Sequence, residues 1–188
     1  MAYPQGINCR ATAGFVTDPT NYDYSISSRG AYPWTTAQGN NVGWEVGAMS
    51  DLGFRDRLNT NDPRLAGTTF VSSGGFNRSF RFDLPSSGNY RIGLAAGDGF
   101  YANSVAVTLF DTASSLGALS TGTTSAPNTF KDATNTEYSA ANWPGSQTLV
   151  SKTFSTTICR FEVTDLNEFA SCYVEAGTPA KRWIFGPR

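Results

Sequence analysis

The stretch that decides the fold lies near the middle of the chain and reads FRFDLPSSGNYRIGL from Phe80 to Leu94. Apolar side chains occupy every second position on both sides of residues 85–89, which hold proline, serine, glycine and asparagine. A period of two gives a β-strand one apolar face, and the central residue types favour turns. The stretch therefore predicts an antiparallel hairpin with strands over residues 80–84 and 90–94.

Further segments repeat this alternation towards the C-terminus. Residues 105–109 predict a third strand, and residues 153–163 and 169–176 predict a second hairpin. No stretch of the chain has the 3.6-residue period of an amphipathic helix. We therefore predict an all-β protein.

The rest of the chain gives weaker signals. Residues 7–16 and 42–46 are weaker strand candidates, and residues 119–142, rich in serine, threonine, asparagine and alanine, are predicted to form an elaborated surface loop. At 188 residues and 20.2 kDa the chain has the length of one domain. We predict one antiparallel β-sandwich, a jelly roll, over residues 1–180. Residues 181–188 hold two large aromatic side chains and are predicted to dock onto this domain or onto a neighbouring subunit.

The composition excludes several classes of function. The formal net charge is −1 and only 15% of the residues are charged, which argues against a nucleic-acid partner. The chain has no histidine, so it can build neither a Ser-His-Asp triad nor a histidine metal site. All three cysteines, Cys9, Cys159 and Cys172, lack a CxxC pair, and we interpret them as buried, reduced thiols.

Paired carboxylates are the remaining catalytic option. No pair stands out in the sequence, and we interpret these residues as caps, turn formers or solvated groups. The six candidates are Asp98, Asp111, Asp132, Glu137, Asp165 and Glu168. Loops over residues 18–23 and 59–62 could hold Ca²⁺ through oxygen ligands, although neither fits the spacing of an EF-hand. We therefore predict no enzyme, no cofactor and no assigned metal site, and leave Ca²⁺ in these loops open.

The chain has no run of about 18 apolar residues, and its N-terminus does not read as a signal peptide. These two features predict a protein made in a reducing cytoplasm without membrane insertion.

Aromatic side chains are the most informative feature outside the strands. They make up 13% of the chain, and many lie beside glycine, asparagine or proline. Rings on the loops of a rigid sandwich can stack on sugars, but they can equally anchor loops or fill protein interfaces. Both interpretations stay open for Tyr22, Tyr24, Tyr32, Trp34, Trp44, Phe100, Tyr101, Tyr138 and Trp143.

Four short motifs resemble the malectin-like modules, which are β-sandwiches of the galactose-binding jelly-roll type. They are Ile7–Cys9 as the opening strand, Phe80–Tyr90 as the central hairpin, Ala96–Ser104 as the loop that presents an aromatic pair, and Asp165 before the last strand. The resemblance implies carbohydrate binding by Phe100, Tyr101 and Asp165. The other ring-stacking tyrosines of malectin have no match, since the corresponding stretch is Leu65–Phe70.

The chain as a whole also resembles small structural proteins of tailed bacteriophages. The motifs that carry this resemblance are Pro4–Asn8, Gly39–Glu45, Arg64–Gly67 and Thr156–Phe161. It implies a non-enzymatic virion component, such as a head-decoration, fibre or tail-surface protein, that contacts other virion proteins and copies of itself. Weak adhesion to a cell-surface glycan would then gain strength from multivalent display. The alternative is a malectin-like carbohydrate-binding module that is not tied to a virion.

Overall fold

The computed structural model describes residues 5–8, 22–23, 31–36, 39–45, 49–57, 62–72, 75–145 and 148–177. Within these residues the regular structure consists of β-strands and three short 3₁₀ helices, Met49–Asp51, Pro63–Leu65 and Ala140–Asn142. The strands are β1 (Gln5–Asn8), β2 (Tyr22–Asp23), β3 (Trp34–Thr35), β4 (Asn41–Glu45), β5 (Leu52–Asp56), β6 (Gly67–Val71), β7 (Arg78–Asp83), β8 (Gly88–Asp98), β9 (Val107–Asp111), β10 (Ser114–Ser120), β11 (Thr129–Asp132), β12 (Glu137–Ser139), β13 (Val150–Phe154), β14 (Ile158–Val163), β15 (Glu168–Phe169) and β16 (Ser171–Ala176).

The described strands form two large sheets and one small one. The larger sheet has the order β12-β11-β8-β16-β1-β2, and β13 also pairs with β8. The second large sheet has the order β10-β9-β14-β7-β4-β3, and the small sheet has the order β15-β6-β5. Neighbouring strands run antiparallel, except that β1 and β2 are parallel. The prediction of an all-β fold is confirmed.

One apolar core lies between the two large sheets. Val42 and Phe82 from one sheet belong to the same buried cluster as Ile92 and Val174 from the other. Aromatic rings meet edge to face within it, with the ring centres of Trp44 and Phe80 5.2 Å apart, a favoured geometry for buried aromatic pairs. Two sheets that share one core form a β-sandwich, as predicted.

The predicted hairpins are wrong, although the strands themselves exist. The segments β7 and β8 follow each other in sequence but belong to different sheets, and so do β14 and β16. The bend at residues 85–87 carries the chain from one sheet to the other across the core. Alternation shows which face of a strand is buried, but two strands that face each other across a sandwich show the same period as two paired strands.

The prediction of a surface loop over residues 119–142 is also wrong. This segment contains β11, whose four residues are all buried, and β12. Phe130 packs with Trp143 and Leu65 in a second buried cluster. The polar residues of β11 tolerate burial because they are hydrogen-bonded: Lys131 Nζ donates to the Thr121 carbonyl at 2.6 Å.

Two of the three cysteines lie where the sequence predicts. Cys159 and Cys172 are free and buried, on opposite sheets of the sandwich. Burial raises the pKa of the Cys159 thiol well above its usual range, which keeps this thiol protonated. Cys9 and the predicted tail, residues 181–188, lie outside the described residues.

Candidate functional site

The aromatic pair Phe100 and Tyr101 lies at the surface, directly after the end of β8. Their side chains are 52% and 57% exposed, whereas most large aromatic residues of the described chain are buried. Phe76 is the other strongly exposed ring, at 63%, and it lies in the segment between β6 and β7. The loop that the sequence predicts to present an aromatic pair thus exposes two adjacent rings to solvent.

A buried carboxylate holds this loop. Asp98 is completely buried at the end of β8, and its Oδ1 accepts a hydrogen bond of 2.6 Å from the backbone N–H of Phe100. Arg57 donates to both oxygens of Asp98, from Nε at 2.8 Å and from Nη2 at 2.7 Å. Such a bidentate pair is among the strong, directional contacts of proteins. Asp98 thus fixes the first residue of the aromatic pair.

Gly97 brings the strand end into this position. Its φ is +149°, and a Cβ there would lie 2.4 Å from the carbonyl oxygen of Thr129 on β11. Only glycine permits such a close approach of two backbones at this conformation.

Two arginines reach the pair from the end of β5. Arg55 lies on β5 and Arg57 directly follows the strand; because they are two residues apart along extended chain, both side chains lie on the same face. The guanidinium carbon of Arg57 lies 5.0 Å from the ring centre of Phe100 and 5.7 Å from that of Tyr101. The guanidinium carbon of Arg55 lies 6.0 Å from the ring centre of Tyr101, within the range of cation–π attraction.

Glu168, on β15, completes the cluster. Its Oε1 accepts a hydrogen bond of 3.5 Å from Arg55 Nη1, and its backbone N–H donates to the Ser104 carbonyl at 3.3 Å. Burial, followed by the negative charge of Asp98, raises the pKa of Glu168 to about 7, while the side chain of Asn103 and the charge of Arg55 act in the opposite direction. Within the described residues, no donor reaches its Oε2 with hydrogen-bond geometry. The protonated form of Glu168 can instead donate to Asp98.

We call these residues the arginine–aromatic site: Arg55, Arg57, Phe70, Asp98, Phe100, Tyr101 and Glu168. Both of its carboxyl groups are buried, and Asp98 is already bound by Arg57. The site therefore offers rings and guanidinium groups to a ligand, and its carboxyl groups position those groups. This chemistry suits binding of a polar ligand with an apolar face.

Asp165, the third predicted binding residue, lies in the turn between β14 and β15. Its Oδ2 accepts a hydrogen bond of 2.6 Å from the N–H of Gly75, and its own N–H donates to Asn77 Oδ1 at 3.3 Å. These contacts tie Asp165 to the segment before β7. Among the described contacts, none joins Asp165 to Phe100 or Tyr101; the carboxylate of this segment that lies in the arginine–aromatic site belongs to Glu168.

Sequence reasoning missed Arg55 and Arg57, and it named Asp98 and Glu168 without pairing them. The only local signal was the i, i+2 spacing of the two arginines, which puts both on one face of a strand. That spacing cannot tell which loop the face meets, because β5 belongs to the small sheet whereas Asp98 ends β8 in the larger one, and only the tertiary structure places the two sheets side by side here.

Other aromatic residues anchor the structure. Trp44 is in the main core, while Trp143 packs against Tyr138 and Phe130 in the second cluster. The Tyr32 hydroxyl donates to Asp83 Oδ2 at 2.7 Å, and the Arg81 guanidinium lies over the Tyr32 ring. For these residues the anchoring interpretation is confirmed, and Tyr24 lies outside the described chain.

In the described ranges, no three cysteine, aspartate or glutamate residues are grouped so that they could hold a metal ion. Of the two candidate Ca²⁺ loops, residues 18–23 and 59–62, all but Tyr22, Asp23 and Asp62 lie outside these ranges. No helix in the described part of the chain is long and apolar enough to cross a membrane.

Comparisons with known proteins bear on the fold. No family model and no curated protein matches the chain. The structure of the protein YxiM from Bacillus subtilis is similar over 94% of this chain and 40% of its own, with a TM-score of 0.53 and 9% identity. A β-glucuronidase 2 of Bacteroides uniformis, covalently bound to cyclophellitol-6-carboxylate aziridine, is similar over 94% of this chain and 18% of its own, with a TM-score of 0.46 and 14% identity. The chain spans less than half of either protein, and the likeness to YxiM concerns the fold alone.

Proposed function

We propose that this chain is a non-enzymatic bacteriophage virion protein, a head-decoration, fibre or tail-surface component. In this proposal its sandwich is a jelly roll of the carbohydrate-binding, malectin-like type, and its arginine–aromatic site adheres weakly to a cell-surface glycan. The observation that carries the adhesion is the exposure of two adjacent rings on a loop held by buried Asp98. Its partners are other virion proteins and further copies of itself.

The geometry of the loop supports binding to sugars. A pyranose presents an apolar C–H face to an aromatic ring and hydroxyl groups at its edge. Phe100 and Tyr101 offer such rings, while the guanidinium group of Arg57 lies within 6 Å of both ring centres. Because Arg57 and the backbone of Phe100 are both bound to Asp98, the loop is ordered before a ligand arrives, which lowers the entropy lost on binding. Asp165 remains a predicted contributor from the neighbouring turn.

The virion part of the proposal rests on the sequence motifs and on the gain in binding strength that many copies on one particle provide. A single small site with two rings binds a glycan weakly, but many copies on one particle bind together. Such a protein needs no catalytic group of its own.

Binding to a broad glycan panel tests the adhesion. The protein is displayed multivalently on beads, beside the variants Tyr101→Ala, Phe100→Ala and Phe76→Ala. Phe76 is a matched control, because it is an equally exposed ring that lies over Arg78 instead of Arg57. We expect selective binding by the wild type and by Phe76→Ala, and its loss in Tyr101→Ala and Phe100→Ala. If no glycan binds, or if Tyr101→Ala binds as the wild type does, the named site is wrong.

Sedimentation velocity and pull-down with tailed-phage particles test the virion part. We expect self-association or attachment to particles. A protein that binds glycan through Tyr101 but neither self-associates nor attaches to any particle would be the alternative, a carbohydrate-binding module that is not tied to a virion.

A further inference from the structure

The two arginines of the site are held very differently. Arg57 makes two short contacts with Asp98, at 2.8 and 2.7 Å, and its side chain is only 11% exposed. Arg55 makes long contacts, 3.5 Å to Glu168 and 3.7 Å to Asp98, and its side chain is 37% exposed. Arg57 is therefore a fixed structural partner, whereas Arg55 has room to bind another anion.

A stacking platform positions Arg55. Its guanidinium carbon lies 4.0 Å from the centre of the Phe70 ring, on the neighbouring strand β6. Phe70 in turn lies over its register partner Gly53, where a Cβ would come within 2.0 Å of the ring. Stacking leaves the guanidinium edge available, and this edge matches a carboxylate with two parallel N–H donors. The same guanidinium is near Tyr101, so one sugar residue can contact both groups.

The protonation state of Glu168 determines how freely Arg55 can bind another anion. The charged groups that face Glu168 are Asp98 from β8 and Arg55 from β5, while β6 contributes uncharged Thr69 and Phe70 beside it. With both carboxyl groups ionised, the charges of the two arginines and the two acids cancel, and the cluster has no net charge. When Glu168 takes up a proton, the cluster has a net charge of +1 and Arg55 loses its competing anion.

We propose that Arg55 is the specificity residue of the arginine–aromatic site and that it binds the carboxylate of a uronic acid residue in the glycan that stacks on Tyr101. This inference rests on the proposed glycan adhesion and names its ligand class. Neutral glycans contact the rings alone and bind more weakly. Glu168 acts as a positioning residue that competes with the ligand for Arg55.

Matched ligands distinguish the contribution of the carboxylate charge to binding from that of the sugar ring. The probes are multivalent oligomers of galacturonate, glucuronate and mannuronate, each paired with its methyl ester, which keeps the sugar and removes the charge. We expect at least one uronate to bind about fivefold or more tightly than its ester, as one charge-assisted bidentate contact provides. Arg55→Met, which keeps the aliphatic stem, should remove this preference, so that the variant binds each uronate and its ester equally well. The control Arg91→Met removes an exposed arginine that pairs with Glu175 and should change nothing.

The pH dependence gives a second readout. Because the pKa of Glu168 is raised to about 7, binding of the uronate should strengthen as the pH falls from about 8 to about 6, and ester binding should stay constant. Glu168→Gln should bind the uronate at about pH 8 as tightly as the wild type does at about pH 6. A merely structural role of Glu168 would not produce this pattern. Urea unfolding of each variant checks that the fold is retained.

The outcomes distinguish this inference from the function on which it rests. One contrary result is Tyr101-dependent binding in which esters bind as well as acids, and another is that Arg55→Met keeps the preference for the acid. Either result would show that Arg55 does not bind the carboxylate, and the proposed glycan adhesion would be unaffected. A stronger response to dextran sulfate than to any uronate overturns the assignment to a carboxylate. If the wild type binds no glycan of any kind, the proposed adhesion fails first and this inference fails with it.

Discussion

Asp98 and Asp111 are both buried aspartates at the end of a strand, and the two carboxylates have opposite surroundings. Asp111, at the end of β9, accepts hydrogen bonds on Oδ2 from the N–H and the hydroxyl of Ser155, at 2.7 and 2.6 Å, and further ones on Oδ1 from Thr156. Asp98, at the end of β8, is bound by Arg57 and lies beside a second buried acid, Glu168. One region closes a turn, whereas the other brings four charged groups together beneath two exposed rings.

The pKa values of the two regions move in opposite directions. Desolvation acts to raise the pKa of Asp111, but the hydrogen bonds from Ser155 and Thr156 outweigh it and hold that pKa below its usual range. Desolvation and the charge of Asp98 raise the pKa of Glu168. A carboxylate surrounded by neutral donors stabilises the fold at neutral pH. The ionised form of Glu168 opposes folding there, because it is buried beside Asp98, and a carboxyl group with such a raised pKa is typical of functional sites.

Removal of Asp98 should have the largest effect. Asp98→Ala leaves Arg57 without its partner, so we expect the free energy of unfolding to fall by about 3 kcal/mol, the loss typical of a broken buried pair. Urea unfolding at neutral pH measures it. The double variant with Arg57→Met should be less unstable than the sum of the two single changes; simple additivity would contradict the coupling of these residues.

The pH dependence of stability should show the next largest effect, and it belongs to Glu168. Its pKa rises from 4.5 to about 7 on folding, so the folded protein holds a proton that the unfolded chain releases. The free energy of unfolding should therefore be highest below the lower value and fall by at most about 3 kcal/mol as the pH rises through the upper one. Urea unfolding at about pH 5 and about pH 8 measures the change. In Glu168→Gln the free energy of unfolding should no longer decrease over this pH range. If the variant shows the same decrease as the wild type, a group other than Glu168 causes it.

Asp111 should give a smaller effect of opposite sign. Asp111→Ala is expected to lower the free energy of unfolding by about 2 kcal/mol at neutral pH, because Ser155 and Thr156 lose their charged acceptor. This stabilisation is present above the pKa of the unfolded aspartate and is lost as the pH falls through the lower pKa of the folded state. Thermal unfolding as a function of pH, with Asp111→Asn as the isosteric control, measures it. If Asp111→Ala lowers the free energy of unfolding by the same amount in acid, the change reflects lost packing and not a lost charge.

The rings should contribute least to stability. Tyr101→Ala and Phe76→Ala remove exposed side chains, and we expect changes within about 0.5 kcal/mol in the free energy of unfolding. A Tyr101→Ala variant destabilised by several times that amount would show that the ring packs, and would weaken its assignment as a binding surface.

Much of the fold could be predicted from particular residues. The alternation of Phe80, Phe82, Ile92 and Leu94 correctly predicts strands with one buried face, since all four belong to the main core. The partners of those strands could not be predicted, because burial on one face looks the same for a paired strand and for a strand across the core. Strand β11 could not be predicted, because its polar residues conceal its burial: the carbonyl of Thr121 accepts from Lys131, and Asp132 accepts from Thr134 and Thr136.

The sequence by itself determined the all-β sandwich and the aromatic loop at Phe100 and Tyr101, because a period of two and a pair of adjacent rings after a glycine are local features. Only the tertiary structure decided what surrounds that loop. Arg55, Asp98 and Glu168 lie on strands far apart in sequence. The small sheet brings Arg55 and Glu168 together, and both meet Asp98 at the end of β8 in the larger sheet. Charge interactions depend on distance and burial, which no local pattern specifies.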